Sequence, residues 1–176
     1  MEVAVDLIGP WFIKVILQEL VFHALTCIDM VTNLPEVICI ENKTSAHTSI
    51  LFENHWLARY PCPPWCIHYK GGEFTGVPLL RMLTVNGIKN FTTAMKNPQA
   101  NAICERLHQT ISSNLRARLH HHPPQNHPQA KDIIDTCFAA AIYASKTAIR
   151  CTLNISPGAL VFHRDMILNI LLITDL

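Results

Sequence analysis

The chain has 176 residues, 49% of them apolar and only 15% charged, with 14 Lys and Arg against 13 Asp and Glu. That length suits one domain with its own core, and a formal charge of +1 argues against binding nucleic acid by bulk charge alone. Seven cysteines without a secretory leader argue against a disulfide framework and predict a reducing compartment, nuclear or cytoplasmic.

Val3 to Ile8 reads as a buried strand holding Asp6, stopped by Gly9-Pro10. Residues 12–28 are apolar-rich, but Lys14, Gln18 and Glu19 interrupt them, so no membrane span is expected. Val21 to Met30 and Pro35 to Ile40 are two further strands, with Thr32-Asn33 as the turn between them. Asp29 closes the second strand and reads as structural. Thr44 or Ser45 can cap a helix running to about Arg59, where Pro61, Pro63 and Pro64 end it.

Trp65-Cys66-Ile67 makes a short strand that delivers His68 and Tyr69 to its carboxyl end, and Gly71-Gly72 turns the chain. Cys62, Cys66 and His68 lack a fourth ligand and the spacing of a zinc site, so buried or idle thiols are expected. A short helix near Val77 to Val85 and a fifth strand, Ile88 to Thr92, follow. From Pro98 a long helix is predicted on Ile103, Leu107, Ile111, Leu115 and Leu119, which recur every four residues. Glu105 lies away from that stripe. The run His120-His121-His122-Pro123-Pro124 breaks the helix, a second spans about Pro128 to Ile149, and the remainder reads as irregular with a turn at Ser156-Pro157.

Charge is unevenly spread. Residues 1–88 hold five Lys and Arg against eight Asp and Glu, whereas residues 89–150 hold eight against three. A basic stretch around Glu105 suits a phosphate backbone, although such a stretch is more often a solvated helix face. Taken singly, Asp6 reads as a buried structural aspartate and Glu105 as a surface charge. Their order and spacing change that. Val5-Asp6-Leu7-Ile8-Gly9-Pro10, then His68-Tyr69-Lys70-Gly71-Gly72-Glu73-Phe74, then Asn97-Pro98-Gln99 leading to Glu105, 36 positions after Tyr69, resemble the three active-site motifs of retroelement integrases of the gypsy-like and retroviral kind. Leu57-Ala58-Arg59-Tyr60-Pro61 and Ser156-Pro157-Gly158-Ala159-Leu160-Val161-Phe162 resemble segments of the same family.

The resemblance implies an α/β, ribonuclease-H-like fold: a five-stranded mixed sheet in the order 3-2-1-4-5, flanked by helices. It implies a catalytic core over residues 1–150 and an irregular extension of the core over 151–176. In that family an Asp, a second Asp and a Glu hold divalent metal, Mg²⁺ or Mn²⁺. Two such ions roughly 3.5–4 Å apart activate the nucleophile and stabilise the leaving oxygen in polynucleotidyl transfer. Asp6 and Glu105 take the first and third positions. The second carries Tyr69, whose phenol, with an ordinary pKa near 10, is a neutral and poor Mg²⁺ ligand at pH 7. Lys70 stands where the family usually has Asn and adds positive charge there. Glu73 lies beyond the glycine turn, and its family counterpart is not a ligand. The expectation is weakened metal binding and an impaired integrase core, or a catalytically inactive DNA-binding or oligomerisation module. Lys96, Asn97, Gln99, Asn101, Arg106 and His108 are the expected DNA contacts, suited to phosphates more than to bases. DNA is the expected partner, with a possible homo-oligomer and no small-molecule substrate. In that family an amino-terminal zinc module and a carboxyl-terminal DNA-binding domain help organise multimers on the element ends; neither is seen in this sequence, so this chain alone is expected to integrate poorly.

Overall fold

The computed structural model describes residues 2–92, 98–150, 154–164 and 166; for 98–103 it describes the backbone only. Five strands form one sheet in the order β3-β2-β1-β4-β5. They are β1 (Glu2–Lys14), β2 (Glu19–Asp29), β3 (Pro35–Ile40), β4 (Trp65–His68) and β5 (Lys89–Thr92). The first three pair antiparallel through short connections, whereas β4 and β5 add in parallel on the far side of β1. Parallel addition needs a crossover, which the helical segment after β3 and that after β4 supply. The sheet is the one the motifs imply.

β1 is longer than its sequence suggests. Gly9-Pro10 does not stop the strand but makes a bulge, and the register with β2 shifts between Ile8 and Trp11. Gly9 sits at φ 108°, and a Cβ there would meet the Phe22 carbonyl oxygen at 2.9 Å, so only glycine fits. Beyond the bulge the hairpin packs one face on the helices, with Trp11 Nε1 donating to Ser112 Oγ at 3.4 Å.

Each sheet face buries its own core. On one face Ile13, Phe22 and Ala24 meet α4 (Pro98–His121) and α5 (His127–Thr147) through Leu107, Ile111, Leu115, Ile134 and Phe138. On the other, Val3, Val5, Leu25 and Cys27 meet α1 (Ser45–Phe52) and α3 (Val77–Val85) through Phe52, Leu79 and Leu83. Each fully buried side chain of this size contributes about 1.5–3 kcal/mol. Thr44 caps α1 by accepting from the His47 N–H. The helix then widens into a π-turn, Glu53–Leu57, that sets Trp56 fully into the core.

Two helices depart from the sequence reading. α2 (Gly72–Thr75) is a single turn after the glycine pair, and α6 (Pro157–Phe162) forms where an irregular tail is expected. Ser156 explains the second: its Oγ accepts from the Ala159 N–H at 3.1 Å, with Pro157 in the first turn. α6 lays Phe162 against Tyr60, ring centroids 6.4 Å apart. Asp29 is structural, as its position suggests. It is buried, accepts from the Val31 N–H at 3.1 Å and the Thr32 hydroxyl at 2.7 Å, and so closes the β2–β3 turn. Among the described residues no helix is long and apolar enough to cross a membrane.

Candidate active site

The site lies where β4 ends against the first half of β1. Val5 pairs with His68 in parallel register, so Asp6 and Tyr69 follow side by side on adjacent central strands. His68 anchors this end. It is buried, its ring stacks on Phe74 with centroids 5.3 Å apart, and Nδ1 donates to the Tyr69 carbonyl at 2.7 Å. Its Nε2 meets the Asn90 side chain of β5. The Tyr69 backbone is thus tied to the buried His68 ring at the end of β4.

The helix bearing Glu105 comes to the same place. Thr26, level with Asp6 on β2, donates its hydroxyl to the Asp6 carbonyl at 3.1 Å. Thr26 Oγ1 also lies 3.5 Å from His108 Nε2, at the outer limit of a hydrogen bond. His108 is one turn beyond Cys104 and Glu105 on α4. Burial pushes the Cys104 thiol up to about 11, and both Asp6 and Glu105 add to that rise. The first described side chains of α4 thus stand beside Asp6, with Glu105 itself exposed.

Asp6 is a strained charge. Its carboxyl accepts from the Leu7 N–H at 2.8 Å, which favours the anion, but burial outweighs that bond and Glu73 adds repulsion. Together they raise it from the usual 3.8 to about 6. Glu73 is the second carboxylate that Asp6 feels. It folds back over the glycine turn: a Cβ on Gly71 would lie 2.3 Å from Glu73 Oε1, so glycine there leaves the room. Gly71-Gly72 was the available signal, since a carboxylate can fold onto a backbone that carries no side chain.

A folded-state value above the unfolded one means the native chain holds that proton more tightly. Stability linked to Asp6 is full below pH 3.8, drains away as pH rises to about 6, and stays lost above. Asp6→Asn keeps the acceptor for Leu7 and removes the charge. After discounting for partial solvent exposure, we expect a gain of about 1–2 kcal/mol at pH 7.5 and none at pH 3.5. Urea unfolding at the two pH values checks this, and equal midpoints at pH 7.5 would contradict the burial argument.

The expected DNA contacts divide. Arg106 is exposed on α4 and free to meet a phosphate. His108 is not suited to that role, because its half-buried ring faces Thr26 and burial lowers it to about 4, leaving it neutral near pH 7. Lys96 and Asn97 lie outside the described residues, as do the side chains of Gln99 and Asn101.

For a divalent ion the donor chemistry is incomplete. Asp6 and Glu105 offer the hard oxygens Mg²⁺ requires, but the third corner is a phenol flanked by the exposed Lys70. Among the described residues no three His, Cys, Asp or Glu side chains are grouped so as to hold a metal. The site as it stands does not fit a two-ion centre.

No protein-family model and no curated protein sequence matches the chain. Solved structures do. The catalytic core domain of BIV integrase superposes with a TM-score of 0.68 at 14% identity, covering 92% of this chain and 93% of that one. The HTLV-2 integrase catalytic core domain in complex with magnesium, in a trimeric form, gives 0.67 at 16% identity over 90% and 94%. A simian T-cell lymphotropic virus intasome in complex with PP2A regulatory subunit B56 gamma gives 0.70 at 12%, over 94% of this chain and 55% of that one.

Proposed function

We propose that this chain, which has the fold of retroviral integrase catalytic cores, is the core module of a retroelement integrase that engages DNA and whose phosphodiester transfer is impaired. One observation carries the reading: the parallel register of Val5 with His68, which sets Asp6 of β1 beside Tyr69 where β4 ends. The approach of the Cys104–His108 turn to Thr26 and Asp6 supports it further. Asp6 and Glu105 are the metal-ligand candidates, and Arg106 is the described basic group nearest Glu105 in sequence. Tyr69 in place of an anion, next to Lys70, makes binding of Mg²⁺ or Mn²⁺ weak and transfer slow or absent. The same two residues favour the second reading, a catalytically inactive module that binds DNA or assembles with copies of itself. The related HTLV-2 core is solved in trimeric and dimeric forms, which makes self-association worth measuring for this chain.

A nicking assay on branched DNA with Mg²⁺ or Mn²⁺ tests the impairment. We expect no turnover above background, and clear turnover by the natural chain would defeat the claim. Gel shifts across a salt series test DNA binding by either reading. Affinity should fall steeply as salt rises; affinity indifferent to salt would count against a phosphate track.

A further inference from the structure

The core between the sheet and helices α4 and α5 takes side chains from β1, β2 and β3; among the described residues it takes none from β4 or β5. Side chains alternate between the two faces of a sheet. Cys66 packs with Val3 and Val5 toward α1 and α3, and the His68 ring stacks on Phe74 on that same side. Trp65 and Ile67 therefore point to the α4 side, and with them Lys89 and Phe91, their partners in register on β5. Asp6 faces the same way, level with Thr26, whose hydroxyl lies beside His108 of α4. On this open part of the sheet the rings of Trp65 and Phe91 meet, centroids 4.5 Å apart. Lys89 Nζ stands 4.8 Å over the Trp65 ring. Phe91 is 49% exposed, Lys89 is exposed and Trp65 is half-buried. Among the described residues Lys89 makes no ion pair.

An exposed aromatic pair with a lysine beside it, on a sheet face shared with Asp6, has the chemistry of a nucleotide platform. A base lays its flat face on the rings, and its phosphate meets the cation. Only an unpaired base can do so, because in a duplex both faces of each base are stacked on its neighbours. Phe91 lies two strands and two residues from Asp6 in the sheet register, about 12 Å by ordinary strand spacings and a few nucleotides of chain. Glu2, exposed and level with Trp65 on β1, repels an anion on the other flank, so the phosphate belongs on the Lys89 side. We propose that Phe91, backed by Trp65, is a stacking ledge for one unpaired base of the DNA strand that runs to Asp6, with Lys89 on that nucleotide's phosphate. The inference rests on the integrase-core reading and narrows its substrate to DNA with unpaired nucleotides beside the reacting phosphodiester.

The test compares binding of the whole chain to a fully paired duplex and to the same duplex with a short single-stranded overhang. The natural chain should hold the overhang about tenfold tighter. A fluorescent 2-aminopurine moved along the overhang should be quenched most at one position. Phe91→Leu keeps an apolar side chain against Trp65 but removes the ring; it should bring the overhang down to the affinity of the duplex and lift the quenching. Phe91→Trp should keep both. Lys89→Gln should weaken the overhang severalfold and reduce the salt slope by about one; on an exposed side chain, it also serves if Phe91→Leu melts early. A folded Phe91→Leu chain with the natural preference and quenching overturns the proposal. So does a natural chain that dimerises in sedimentation while Phe91→Leu stays monomeric, since a second copy would then cover the ledge. Equal, salt-sensitive binding of both DNAs by the natural chain sinks the ledge and leaves the integrase-core reading standing. No salt-dependent DNA binding at all removes both.

Discussion

Lys146→Ala should cost the fold about 3–5 kcal/mol, the largest loss of stability we expect from one surface-distant cation. Lys146 reaches from α5 into the protein and donates to Glu36 Oε1 of β3 at 2.7 Å, the two side chains being only 13% and 7% exposed. Tyr60 donates its hydroxyl to the same carboxylate oxygen and receives Lys146 Nζ at 3.3 Å. Burial, then the bond to Glu36, raises Tyr60 far above its ordinary value, so it stays a donor. Without Lys146 the Glu36 charge remains buried with a single neutral partner. The melting temperature should fall by roughly 6–20 °C, taking 2–4 °C per kcal/mol for a chain of this size. Glu36→Gln in the Lys146→Ala background should recover much of that loss by removing the stranded charge. A drop under about 1 kcal/mol for Lys146→Ala alone would mean that water already reaches Glu36. The network ties β3, the segment after the π-turn and α5 together, so its loss should loosen α5 along the β3 edge of the sheet.

The second large effect is a gain. Tyr69→Asp combined with Lys70→Asn places an anion beside Asp6 and removes a cation from the same strand end. Divalent-ion affinity should rise by one to two orders of magnitude, on the scale of a charge-assisted contact of about 1.5–3 kcal/mol. In metal-free buffer the double variant should melt lower than the natural chain, because a third carboxylate adds to the repulsion that Asp6 already feels from Glu73. Saturating Mn²⁺ should reverse that, adding about 2.7 kcal/mol at a hundredfold excess over Kd. Nicking of branched DNA should appear with the metal and vanish again on Glu105→Gln. Calorimetry that finds no divalent ion on the double variant would remove the account of a site that has lost one ligand. Under the proposed function Tyr69 and Lys70 stand where the resemblance expects Asp and Asn; both oppose a cation, and each pair of codons differs by one base, a pattern that would fit a copy freed from catalytic demand.

Much of the architecture was legible because periodicity reports burial directly. Leu107, Ile111 and Leu115, four residues apart, are the positions α4 buries, while Glu105, off that stripe, is exposed. The short apolar runs Val3 to Ile8, with Asp6 inside it, and Trp65-Cys66-Ile67 became parts of the two central strands. Gly9-Pro10 misled because a local breaker can also be absorbed as a bulge when strands on both sides keep their partners. α6 escaped because its helix depends on one cap and on packing against Tyr60, a contact between residues about a hundred positions apart.

What the chain alone determined was the order of its elements and the chemical types at three motif positions, including the phenol where an anion is expected. Local pattern and side-chain identity suffice for that. Only the tertiary structure decided which groups feel one another: that Glu73 folds back to load Asp6, and that His108 turns inward toward Thr26 and is held neutral. Those outcomes depend on distances and burial between remote segments, and the energy of a charge is set by what surrounds it in space rather than by what precedes it in sequence.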